Sequence, residues 1–162
     1  MPRFAGLVFL AVLVLSNSPA YAQTASNLLE TRYTTVHYSE NDQMNDFLWR
    51  ITGQRLTGDS VLQNTRGRID EIIERVQSLL DMHPAAFHFD IYLKKTNEAG
   101  TIAYYSHETR SITAVASRVT DGVLAHEIAH AVMNAYFSPA PPEKSQEILA
   151  QYVDQHLWSE VV

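Results

Sequence analysis

The chain contains no cysteine. Disulfides, thiolate metal sites and thiol nucleophiles are therefore excluded, and any metal must be held by histidine and carboxylate. Basic residues are few and scattered: 12 Lys and Arg stand against 18 Asp and Glu, a formal charge of -6. Without a basic cluster the chain lacks the footprint of a nucleic-acid binder. Long apolar runs are also missing, the longest, 5–15, falling short of the roughly 20 residues that span a bilayer. No internal repeat or low-complexity segment is present. What remains is 162 residues, 46% of them hydrophobic, enough for one domain with a core of its own.

The first residues read as an export signal. Arg3 supplies a positive start, 5–15 the apolar stretch, and Ala20-Tyr21-Ala22 a small-x-small cleavage site before Gln23. The expectation is a signal peptide at 1–22 and an acidic domain at 23–162, periplasmic or secreted, with no integral membrane span once the signal is removed.

Within that domain, 23–30 is polar and reads as a loose leader. The β-branched and aromatic run 32–38 predicts a strand containing His37, as a packed or surface residue. Met44, Phe47, Leu48 and Ile51 have helical spacing over 40–51, and Gly53 and Gly58 end that helix in a loop. A longer helix over 60–82 buries Ile69, Ile72, Ile73, Val76, Leu79 and Leu80, turns Arg68, Glu71, Glu74 and Arg75 to water, and stops before Pro84. Alternation over 86–94 points Phe87, Phe89, Ile91 and Leu93 one way and leaves His88 and Asp90 exposed. A turn at 96–100, a short segment with a second turn at 104–110 and a small-residue strand at 111–119 lead into the next helix. Together these elements predict an α+β fold.

That next helix, 121–137, contains His126-Glu127-Ile128-Ala129-His130. Asp121 is the expected N-cap, and nearly every neighbour of the motif is apolar, so the helix is expected to be buried. A buried carboxylate is costly unless something pairs with it. A metal ion removes the cost: residues four apart share one helical face, about 6 Å apart along the axis, so both imidazoles can converge on one zinc. Glu127, rotated about 100° from His126, misses the ion but reaches a water beside it, whose pKa zinc lowers to about 7.

Zinc on two histidines needs a third protein ligand. Three prolines in 138–142 end the helix, and 143–158 reads as the last one, with Ile148, Leu149, Tyr152, Val153 and Leu157 as its apolar stripe. If it runs back along its predecessor, Glu147 arrives within about 4–5 Å of the height of His130, a mismatch the connection can absorb. Ala150, one turn on, permits close approach. Glu143 and Asp154 are the rival acids.

His126-Glu127-x-x-His130, followed by Glu147-x-x-Ala150-x-Tyr152-Val153, resembles the gluzincins, the thermolysin-like zinc metallopeptidases. The resemblance extends loosely over 32–158 and implies a zincin-like catalytic lobe: a small mixed sheet packed on the active-site helix and a following glutamate-bearing helix. It implies one Zn2+ held by His126, His130 and Glu147, Glu127 as general base and proton shuttle, and a strand at 111–117 as the edge that pairs with an extended peptide or protein substrate. Where thermolysin carries an aspartate that orients a histidine, four residues past the third ligand, this chain has Gln151. The second lobe that often supplies an oxyanion donor has no counterpart after Glu147, leaving Tyr104, Tyr105, Tyr136, Tyr152 and His156 as candidates. The expected function is zinc-dependent peptide hydrolysis. The alternatives are a zinc-bound interaction or assembly module with an envelope protein partner, and a plain α+β domain without metal.

Overall fold

The computed structural model describes residues 27–97 and 100–159. The expected signal at 1–22 lies outside them. The chain forms strands β1 (Asn27–Glu30), β2 (Thr34–Tyr38), β3 (Phe89–Lys94), β4 (Ala103–Ser106) and β5 (Ser111–Val115), and helices α1 (Asn41–Thr52), α2 (Ser60–Leu80), α3 (Asp121–Tyr136) and α4 (Glu143–His156). This is an α+β fold with a small mixed sheet, in the order β1-β2-β3-β5-β4. β2, β3 and β5 run parallel, and both outer strands are antiparallel to their neighbours. The parallel β2–β3 pair requires a long crossover, which α1 and α2 provide.

Side-chain alternation makes the sheet one-sided. Val36, Ile91, Leu93, Ile112 and Ala114 are buried beneath the helices, joined by Met44, Phe47, Leu48 and Ile51 of α1 and Ile69, Ile72, Ile73 and Val76 of α2. The opposite face is polar. There His37 Nε2 lies 2.7 Å from Asp90 Oδ1 and its ring stacks 4.3 Å from Tyr92. His37 is thus packed, as expected, and Asp90 is paired rather than merely exposed.

Several expectations are corrected. The polar leader contributes a strand, β1, because its alternate residue Leu29 enters the core while its backbone pairs with β2. The segment at 104–110 is not only turn: Ala103–Ser106 forms β4, which returns through a turn at 107–110 to pair with β5. The strand at 111–117 is therefore not the sheet edge. β5 lies between β3 and β4, and the edge facing α3 is β4. Helix α2 ends before the proline, at Asp81, whose left-handed backbone (φ 52°) lets its N–H close on the carbonyls of Gln77 and Ser78.

Helix α3 is capped by Thr120 rather than Asp121: Thr120 Oγ1 accepts from Val123 N at 3.3 Å. Asp121 instead accepts from Arg68 at 3.3 Å and from Trp158 Nε1 at 2.7 Å. Arg68 also lies over the Trp158 ring, and Arg75 Nε donates to Leu157 O at 2.9 Å. These two arginines, expected to be solvated, fasten the end of α4.

The apolar stripe of α4 is also different. Ala150, Val153 and Leu157 are buried, with Leu149 beside them, whereas Ile148 and Tyr152 are about half exposed. At about 100° per residue, the rotation that turns Ala150 and Val153 inward carries Ile148 and Tyr152 to the opposite side. Among the described residues no helix is long and apolar enough to cross a membrane.

Candidate metal centre

Leu124, Ala125, Ile128, Ala129, Val132 and Met133 are fully buried and pin α3 into the core over most of its circumference. The remaining stripe, His126, Glu127, His130 and Asn134, opens on a cleft. Opposite it, α4 returns at close range. Ala150 is completely buried, and the Asp154 carboxylate occupies the place where a side chain on Gly122 would stand. Both small residues are what this approach requires.

The approach brings Glu147 to the histidines. Its Oε1 lies 3.2 Å from His130 Nε2 and its Oε2 3.5 Å from His126 Nε2. The three ligand atoms all fall within 4.8 Å of one another. Two donors each about 2.1 Å from a tetrahedral zinc stand about 3.4 Å apart, so the histidine–glutamate separations are those of a shared ion. The donor set, two imidazoles and one carboxylate, is also that of a zinc site with a position left open. The two histidine side chains are 22% and 13% exposed and Glu147 45%, which places the open side of the site at the cleft. Of the rival acids, Glu143 lines the cleft mouth and Asp154 lies against Gly122; neither joins the cluster.

The orientation of His130 is fixed by Gln146, a residue that no sequence pattern singles out. Gln146 Nε2 donates to Pro141 O at 2.8 Å, which turns Oε1 the other way. That oxygen accepts from Asn134 Nδ2 at 2.8 Å and stands 3.2 Å from His130 Nδ1. A carboxamide oxygen can only accept, so His130 carries its proton on Nδ1 and presents a lone pair on Nε2 toward Glu147. Gln151, expected in this role, is exposed. Asn134 was also missed, although its place as the next residue of the His126, His130 stripe could have found it; Gln146 had no comparable signal. Gln146→Leu is expected to weaken zinc binding about 10–100-fold with the fold intact, as read by competition with a chromogenic chelator.

Glu127 stands apart from the ligand cluster, as its rotation about the helix requires. Burial pushes its carboxyl above the usual carboxylate range; His126, His130 and the Tyr105 N–H pull it back, and Glu147 adds to the rise. Tyr105 N donates to Glu127 Oε2 at 2.8 Å. This bond ties the carboxylate to an outward-pointing amide of the edge strand β4 and aims it into the cleft.

Of the five oxyanion candidates, Tyr136, Tyr152 and His156 lie outside the cleft lining, and Tyr152 stacks on His156 instead. Tyr104 borders the cleft, but strand alternation sends its side chain to the other face of the sheet, where it lines a groove with Tyr92 and Thr113. Tyr105 remains. Burial raises its phenol pKa, against a smaller opposing pull from Arg110, so it stays a hydrogen-bond donor at neutral pH. His107, from the β4–β5 turn, also lines the cleft and carried no sequence signal.

No family model, curated protein or solved structure matches this chain.

Proposed function

We propose that the chain is a zinc-dependent metallopeptidase, exported to the periplasm or beyond, whose catalytic lobe is zincin-like. The observation that carries this reading is the convergence of Glu147 from α4 on His126 Nε2 and His130 Nε2, with Glu127 held beside them and outside the cluster. Three side chains from two helices gain little by meeting at a partly wet surface without an ion, since exposed pairs contribute about 0–1 kcal/mol and cost side-chain freedom.

His126, His130 and Glu147 would hold the ion. Zinc supplies Lewis acidity for a scissile carbonyl and lowers the pKa of water to about 7. Glu127 takes the proton of the attacking water and passes it to the leaving amine. Its burial and the Tyr105 N–H keep it in place for both transfers. The Tyr105 phenol donates toward the oxygen on which negative charge develops. An extended peptide lies along β4, the sheet edge beside α3, and pairs with the outward backbone groups of that strand other than the Tyr105 N–H, which holds Glu127.

The test is metal analysis of untagged protein together with cleavage of unfolded proteins and peptide libraries. One zinc per chain is expected, with hydrolysis that disappears on chelation and returns on adding zinc. Protein that binds no zinc after reconstitution overturns the proposal.

A further inference from the structure

A second hollow adjoins the cleft, bounded by the β4–β5 turn, the segment before β3 and the C-terminal half of α3, and it shares Tyr105, His107 and Asn134 with the cleft. Its lining includes Phe87 and, as small residues that leave room beside the helix, the buried Ala131 and the exposed Ala135. Arg110 stands in the lining, which includes no Asp or Glu. Arg110 is exposed, and among the described residues its guanidinium forms no ion pair, a state it shares with Arg50, Arg55, Arg66, Arg75 and Arg118. Arg110 also has a left-handed backbone, φ 49°, at the end of the turn, a conformation that glycine or asparagine adopts more readily. The turn thus spends a glycine-favouring position on a long cationic side chain.

An apolar wall with a cation beside it matches a short aliphatic stem that ends in a carboxylate. Acids gather on the other side of the cleft, at Glu127, Glu143 and Glu147. With zinc bound, the charge of the ion offsets Glu127 and Glu147, so the preference for a carboxylate in the hollow comes from Arg110 itself, whose planar fork suits it.

We propose that this hollow is a carboxylate-binding subsite, in which Arg110 pairs with an acidic group of the peptide next to the scissile bond while Phe87 and Ala135 pack its stem. The inference rests on the metallopeptidase reading and adds a substrate class to it. The carboxylate belongs either to an internal Asp or Glu side chain or to the free C-terminus of the peptide, and the two sources are separable.

The experiment uses the zinc-loaded full chain, Arg110→Gly and Arg110→Lys. Glycine suits φ 49°, so Arg110→Gly removes the charge without straining the turn. Substrates are end-blocked peptide libraries randomised around the cleavage point, then matched Glu, Gln and Lys peptides, each also made with a free C-terminus. Glu is expected to exceed Gln by roughly tenfold in kcat/KM, Arg110→Gly to erase that ratio, and Arg110→Lys to retain part of it. Preference confined to free C-termini identifies the terminal carboxylate as the source. Equal cleavage of Glu and Gln peptides with no gain from a free C-terminus, or a preference that survives in Arg110→Gly, overturns the proposal.

A second arm needs no turnover: fluorescent Glu and Gln peptides, with blocked and free C-termini, are titrated onto zinc-loaded Glu127→Gln by anisotropy. Tighter binding of the Glu peptide or of the free C-terminus that is lost in the Glu127→Gln, Arg110→Gly double variant supports the subsite; binding indifferent to both overturns it. If no peptide is cleaved, the peptidase reading fails and this arm still decides the subsite.

Discussion

Glu127→Gln is expected to lower peptide hydrolysis about 10²–10⁴-fold while zinc stays bound at one per chain. The substitution changes little but the proton chemistry. Glutamine has the same shape, its carbonyl oxygen can still accept the 2.8 Å bond from Tyr105 N, and none of the three clustered ligand atoms is altered. What disappears is a group able to accept a proton and release it. Burial already opposes the charge on Glu127, so its neutral replacement relieves a desolvation cost and is not expected to destabilise the fold. Zinc stoichiometry by mass spectrometry and kcat/KM on a quenched peptide are the two readouts. Zinc retained with full activity refutes the role given to Glu127. Zinc retained by a wild-type protein that cleaves nothing favours the interaction-module reading, because the same cluster then serves structure or assembly.

How much of this was legible depended on the range over which each signal acts. The motif helix and its apolar surroundings were readable because a 3.6-residue period and an i, i+4 pair are local facts. Met44, Phe47, Leu48 and Ile51 were readable for the same reason, and all four are buried. Glu147 was favoured over Glu143 and Asp154 by helix lengths together with the upstream motif, since a return helix of known rise brings it near the height of His130, and the three side chains do cluster. The misses are those in which a distant partner decides. β1 has only Leu29 in the core and owes its existence to pairing with β2. The position of β5 inside the sheet depends on β4 folding back outside it, which a four-residue strand does not announce. Ile148 and Tyr152 were assigned to the core because they are apolar. The turn-by-turn rotation that aims Gln146 and Ala150 at α3 leaves them in water. Gln146 was invisible for a related reason: its role comes from Pro141 O, which fixes which end of its amide faces His130.

Zinc is expected to raise the thermal midpoint of the wild-type protein by roughly 8–12 °C when present at about 100 times its dissociation constant, and to do so neither in Glu147→Ala nor in His130→Ala. An ion that binds only the folded chain at that excess stabilises it by about 2.7 kcal/mol, and a domain of this size gains a few degrees per kcal/mol. Only the folded chain can supply the site, because its donors lie on two helices: His126 and His130 on α3, and Glu147 on α4 beyond a proline-rich turn. Removing either a histidine or the carboxylate leaves two donors and a water-filled cleft, so the linkage to folding is lost. In the absence of zinc, Glu147→Ala should melt close to wild type, since a 45% exposed carboxylate contributes little by itself. Asp154→Asn is the internal control: it neutralises a rival acid on the same helix that packs against Gly122, outside the cluster, and should keep the zinc response. The wild-type response should shrink as the pH falls, because protons compete with the ion for both imidazoles and for the carboxylate. A zinc-dependent shift of wild-type size in Glu147→Ala would mean that the ion is held elsewhere. The fold would then owe the meeting of α3 and α4 to Ala150, Val153 and Leu157 alone.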